Sequence, residues 1–158
     1  MANPIIIEIP QAPVPKASYR PNRKGGGYYP GGTKGWMDHV SWMFKQQKPR
    51  GFKKLMRPVR MDIYAYFPIP KKNLYSYSPG DLHCQGKGEV KDRDNIEKGI
   101  QDALEKSNLY ENDNQICMGE TVKRWCSNKK HPKGYTVIVV TEMNEFNPPG
   151  DTCPVEVN

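Results

Sequence analysis

Asp92-Arg-Asp-Asn-Ile-Glu-Lys-Gly-Ile-Gln-Asp-Ala-Leu-Glu-Lys106, followed by Tyr110-Glu-Asn-Asp-Asn-Gln-Ile116, carries more structural and chemical information than any other part of this chain. Ile96, Ile100, Ala103 and Leu104 recur at helical spacing, which predicts a helix from about Asn95 to Lys106, with Asn108 as a left-handed stop. Asp94 is a natural N-cap, and Glu97 three residues later would close a capping box. Capping leaves Asp92 unexplained, because a second carboxylate two residues away adds repulsion that a cation would relieve. Asp94, Lys98 and Asp102 fall at i, i+4 and i+8 and form a polar stripe, which on most helices is only a solvated face. Asp113 strengthens the functional reading. A helix of about 12 residues is roughly 18 Å long, so an adjacent antiparallel hairpin is expected to carry Asp113 back to Asp92 and Asp94. Three such carboxylates are the hard oxygen donors that Mg²⁺ prefers.

The background around this acidic cluster is basic. Lys and Arg outnumber Asp and Glu by 24 to 17, a formal charge of +7 over 158 residues. That balance favours nucleic acid as partner, with basic residues holding phosphates while acidic ones hold a cation at the bond to be cut. A membrane is the weaker choice, because no apolar run approaches roughly 20 residues, and the N-terminus lacks a basic-then-apolar leader pattern. Cys84, Cys117, Cys126 and Cys153 include no Cys-x-x-Cys pair and read as reduced cytoplasmic thiols. A zinc site from Cys117, Cys126 and His131 matches no common ligand spacing.

The length fits one domain, expected over residues 1–143, with a disordered tail from 144 to 158. Residues 4–9 read as a strand ended by Pro10, Pro13 and Pro15. A basic, glycine-rich loop from Lys16 to Lys34 lacks the Gly-Lys-Ser/Thr of a phosphate loop and reads as a flexible DNA-contacting loop or a plain linker. Trp36, Val40, Met43 and Phe44 predict a helix from Trp36 to Gln47, with Trp36 and Trp42 both placed in or near the core. Val59, Met61, Ile63, Ala65 and Phe67 alternate with polar and tyrosine residues, the pattern of a half-buried strand. Residues 68–91 form a long aperiodic loop, while 115–125 and 135–143 read as two strands joined by a basic turn. The second of these is apolar enough to be central.

Two other uses of Asp-Arg-Asp fail on context. A calcium EF-hand loop starting at Asp92 would place Glu97 where the sharp turn requires Gly. The Asp-x-Asp of metal-dependent sugar transferases belongs to larger domains.

Asp92-Arg-Asp94-Asn95-Ile-Glu-Lys98, then Asp102-Ala-Leu104, then Asn112-Asp113-Asn-Gln115-Ile116, resemble the signature of the RusA family of Holliday-junction resolvases. Lys123 falls where that family carries a lysine, and Thr141-Glu-Met143 resembles its final strand. The resemblance implies a single α+β domain, a small mixed β-sheet packed with α-helices. It also implies a cytoplasmic homodimer that cuts branched DNA, four-way junctions above all, using Mg²⁺ with Mn²⁺ as a substitute. By position, Asp92, Asp94 and Asp113 would be the metal-binding carboxylates and Lys98 the catalytic lysine, with Asn95 and Asp102 in support. Asn112 departs from the family by replacing the first acid of a pair, and the loop from Pro70 to Lys91 is longer. Lys16, Arg20, Arg23, Lys24, Lys71, Lys72, Lys123, Lys129 and Lys130 are the candidate phosphate contacts. A rival of another class is a branched-DNA-binding protein without nuclease activity. The intact acids argue against it, since binding alone would gain from losing negative charge opposite phosphates.

Overall fold

The computed structural model describes residues 3–73, 76–83 and 92–143. The expected tail, Cys84, Cys153 and the end of the loop before Asp92 lie outside the described residues. Alternating buried and exposed isoleucines make Ile5–Ile9 the strand β1. A short ribbon follows, β2 (Arg20–Pro21) paired antiparallel with β3 (Gly27–Tyr28). Then come helix α1 (Thr33–Gln47), strand β4 (Val59–Pro68), helix α2 (Arg93–Lys106), and strands β5 (Ile116–Met118), β6 (Thr121–Cys126) and β7 (Tyr135–Glu142). The five strands outside the ribbon form one mixed sheet in the order β1-β7-β4, with β5 and β6 following each other along the far edge of β4. The expectation of a mixed α+β domain with a small sheet therefore holds.

Registers explain the arrangement. β7 pairs antiparallel with both β1 and β4, whereas β5 and β6 run parallel to β4. Parallel neighbours need a crossover, and α2 provides it. The stretches 115–125 and 135–143 are not the adjacent strands that a simple turn would make of them, because β4 stands between them. The first is also broken in two at Gly119. That residue has φ 146° and lies so close to β4 that a Cβ would fall 1.8 Å from the Met61 carbonyl oxygen. Only glycine fits there without moving backbone.

One face of the sheet is buried under the helices. Ile7, Ile9, Val59, Ile63, Ala65 and Ile138 meet Trp36, Val40 and Phe44 of α1 and Ile96, Ile100, Ala103 and Leu104 of α2 in one cluster. Burying one such aliphatic side chain stabilises the fold by about 1.5–3 kcal/mol. The other face carries Ile6, Tyr64, Tyr66, Val122, Val137 and Val139, exposed or half-buried. Trp36 is in the core at 2% exposure, but Trp42, expected there too, is 56% exposed. The helix buries only the stripe Thr33, Trp36, Met37, Val40 and Phe44, and Trp42 falls outside it.

Asp62, an outward-facing residue by strand alternation, is instead only 8% exposed. Its carboxylate accepts the Arg60 Nε–H at 2.9 and 3.2 Å and the Glu120 N–H at 3.1 Å. This acid ties β4 to the break between β5 and β6, a structural role that the i, i+2 charge pair Arg60/Asp62 foreshadows.

Candidate active site

The N-terminal end of α2 is built differently from the capping box expected of it. Asp92, not Asp94, occupies the N-cap position, with extended backbone at φ −65° and ψ 125°. Its side chain makes no capping bond to the helix, so its carboxylate faces outward. Asn95 Nδ2 donates to Asp92 Oδ2 at 3.3 Å. Asp94 lies in the first turn and Lys98 one turn further on, all three charged residues being exposed. Glu97, the expected partner of the cap, turns instead to Arg93, whose Nε donates to it at 2.9 Å. That hydrogen bond raises the Arg93 pKa further. Arg93, Glu97 and Gln101 then line one wall of a groove of about 240 Å³, opposite Cys117, Gly119 and Thr121 of the sheet edge.

Two carboxylates and a lysine thus stand at a helix start. The first-turn backbone N–H groups, which have no partner within the helix, and the positive dipole end favour an anion such as a phosphate. Carboxylate oxygens there are hard donors of the kind that Mg²⁺ takes. The chemistry of these donors would suit a divalent cation.

Asp113 is not brought to them within one chain. Its backbone N–H donates to Glu105 Oε2 at 3.1 Å, and Glu105 follows Asp94 by 11 residues of helix, about 16 Å along its axis. Gln115 Nε2 fixes the same turn to the carbonyls of Leu55 and Arg57 at 3.2 and 3.0 Å, just before β4. The physical reason is the parallel crossover. An antiparallel hairpin would have returned Asp113 to the helix start, whereas a strand parallel to β4 must begin at the helix end. Among the described residues no three His, Cys, Asp or Glu side chains are grouped as a metal site. That covers the zinc alternative as well: Cys117 is exposed on β5 and Cys126 buried at the end of β6.

The basic candidates divide just as sharply. Lys16 is engaged inside the fold: its ammonium pairs with Asp102 and lies 5.5 Å from the centre of the Tyr29 ring. The Asp102 hydrogen bond raises its pKa. Asp102, the last member of the expected polar stripe with Asp94 and Lys98, is therefore taken up by Lys16. Lys123 sits in β6 opposite Ala65, half-buried. Arg20, Arg23, Lys24, Lys71, Lys72, Lys129 and Lys130 are exposed. The first three belong to the β2–β3 ribbon, in place of the expected loop. Asn22 Oδ1 accepts the N–H groups of Lys24 and Gly26, each at 3.0 Å, and shapes its tip.

No helix among the described residues is long and apolar enough to cross a membrane. No curated protein sequence matches the chain. The family model described as Endodeoxyribonuclease RusA matches residues 10–133. The matched segment runs from just after β1 past β6. It contains Asp92, Asp94, Lys98 and Asp113, together with the ribbon and both helices. With most of its length matched, the chain belongs to the RusA endodeoxyribonuclease family.

Proposed function

We propose that this chain is a structure-selective endodeoxyribonuclease that resolves four-way DNA junctions by paired phosphodiester hydrolysis, with Mg²⁺ as cofactor and Mn²⁺ as a substitute. The observation that carries this reading is the family match laid over the start of α2, where Asp92, Asp94 and Lys98 are exposed together on a basic protein. Asp92 and Asp94 would hold the cation, which when bound polarises a phosphate and lowers the pKa of a bound water. Asn95 orients the Asp92 carboxylate through its amide. Lys98 sets a positive charge one helical turn away, where a phosphate oxygen gains charge as its bond breaks. The N–H groups of the first turn add a fixed positive field at the same place.

Asp113 enters this reading through a second copy of the chain. If it serves the same cation, the distance along α2 leaves a two-fold partner as the source, and a homodimer is also what two symmetric cuts in a junction require. Mixing Asp92→Asn with Asp113→Asn protein would then restore about a quarter of wild-type sites when subunits exchange at random. No recovery from two inactive variants would place Asp113 outside a shared site. A cytoplasmic location goes with the reduced thiols.

The test of the function itself is cleavage of a synthetic four-way junction beside a linear duplex, with and without Mg²⁺. Metal-dependent paired nicks in the junction are expected. Tight junction binding without any cut, across Mg²⁺ and Mn²⁺, would turn the reading into that of a non-catalytic branched-DNA-binding protein.

A further inference from the structure

The segment between Lys16 and Thr33 is a built arm. Thr33 closes its base, accepting the Ala17 N–H at 3.0 Å and donating to the Pro30 carbonyl at 3.1 Å. Lys16 fixes that base to α2: its backbone N–H donates to the Asn95 carbonyl at 2.9 Å, and its ammonium lies between Asp102 and Tyr29. The arm therefore springs from beside the helix turn that bears Asp92, Asp94 and Lys98. Beyond the base, Asn22 N–H donates to the Gly26 carbonyl at 2.9 Å and Gly25 takes φ 82°, which closes a tight turn.

What this arm presents is unusual for a turn. Tyr19 is 55% exposed and Tyr28 52% exposed, among the few large apolar side chains that face solvent. Tyr28 is the cross-strand partner of Arg20, so the two share one face of the ribbon. The Tyr19 ring lies on the opposite face, over Gly27, where a Cβ would come within 2.3 Å of it. It is also held edge-on against Tyr29 at 5.2 Å. Arg20, Arg23 and Lys24 belong to the same arm, all exposed. Aromatic rings accompanied by cations fit a ligand that offers flat bases and phosphates together. In linear duplex DNA the flat faces of bases are stacked away, and only at a branch point or a gap are they open to a side chain.

We propose that Tyr19 and Tyr28, one on each face of the ribbon, form a two-sided stacking platform for base faces left unstacked at the branch point of DNA, and that this arm sets the preference for branched over linear substrate. The inference rests on the nuclease reading above and deepens it. Arg20, Arg23 and Lys24 hold the flanking phosphates and contribute affinity for any DNA. The tyrosines contribute only where a base face is unstacked.

The experiment uses the whole chain without Mg²⁺, so that binding is read apart from cleavage. Its probes are a four-way junction carrying 2-aminopurine at the branch and a linear duplex of the same sequence. Tyr19→Leu/Tyr28→Leu keeps bulk and removes the rings. It is expected to weaken junction binding at least about fivefold, to abolish quenching of the 2-aminopurine, and to leave duplex binding unchanged. Arg20→Gln/Arg23→Gln/Lys24→Gln should weaken both and make the salt dependence shallower by about 0.9 log–log units for each phosphate no longer neutralised. Because the tyrosines are exposed, thermal melting should match wild type, which verifies that the variant is folded. Equal loss on junction and duplex, or no loss on either, overturns the platform. Metal-dependent cleavage by wild type, measured alongside, separates the two failures. If wild type cuts junctions while the tyrosine variant keeps its selectivity, only the platform falls. If wild type neither cuts nor prefers junctions, the nuclease reading falls with it.

Discussion

Acidic residues meet two fates in this fold. Asp62 and Asp102 are drawn in and neutralised, the first by Arg60 and the Glu120 N–H, the second by Lys16. Asp92 and Asp94 stand exposed at the start of α2, and among the described residues the hydrogen bond to the Asp92 carboxylate comes from a neutral amide, that of Asn95. A carboxylate joined to its own cation stabilises a fold and has little charge left for a ligand. One left facing solvent on a basic protein keeps its charge for something that arrives. On the proposed function, the pairing state of an acid, more than its place in a motif, would separate structure from chemistry.

Substitution should expose the contrast most visibly at the solvent-facing pair. Asp92→Asn or Asp94→Asn is expected to lower junction cleavage by about two orders of magnitude. Melting temperature should barely move, and junction binding should stay equal or tighten as negative charge is removed opposite phosphates. Gel-based cleavage rates beside a binding titration would check both.

Asp62→Ala should do the reverse. It strands the Arg60 guanidinium and the Glu120 N–H, a loss of about 1–3 kcal/mol, seen in thermal unfolding as a fall of a few degrees. Cleavage per folded molecule should stay near wild type.

Asp102→Asn comes next, at about 1 kcal/mol, because the pair it breaks is only partly shielded from water. This pair carries a pH signature. Lys16 has a raised pKa in the fold, so its contribution is complete below the unfolded value of about 10.5 and is lost as pH rises through the folded one. The melting difference between wild type and Lys16→Gln should hold from neutral pH to about 10 and narrow above that range. Smallest of all is Glu97→Gln, which removes an i, i+4 partner of the exposed Arg93 and should cost at most about 0.5 kcal/mol.

Much of the fold is legible in local pattern. The alternation in Val59–Phe67, the isoleucine spacing of α2 and the left-handed Asn108, at φ 61°, all emerge where the residues place them. The acidic motif is legible too, because Asp92, Asp94 and Lys98 are close in sequence and one helix start fixes their relation. Asp113 is not. Its place depends on whether the chain returns by a hairpin or by a crossover, and the choice is made by the pairing of β5 and β6 with β4, a long-range event that no local period records. Lys16 escapes a local reading for the same reason, since its partner Asp102 is 86 residues away. Trp42 illustrates a narrower limit: helical spacing marks a stripe but not its width, and a large apolar residue just outside it stays in water.

The division between ion-paired and solvent-facing acids is decided by taking Asp92→Asn, Asp94→Asn, Asp62→Ala and Asp102→Asn and recording, for each, junction cleavage rate per folded molecule against melting temperature. Two separate groups are expected. Asp92 and Asp94 variants should lose cleavage at unchanged stability, while Asp62 and Asp102 variants should lose stability at unchanged cleavage. Asp92 and Asp94 variants that melt early and cut normally once folded would contradict this division, and would make the exposed acids part of the scaffold.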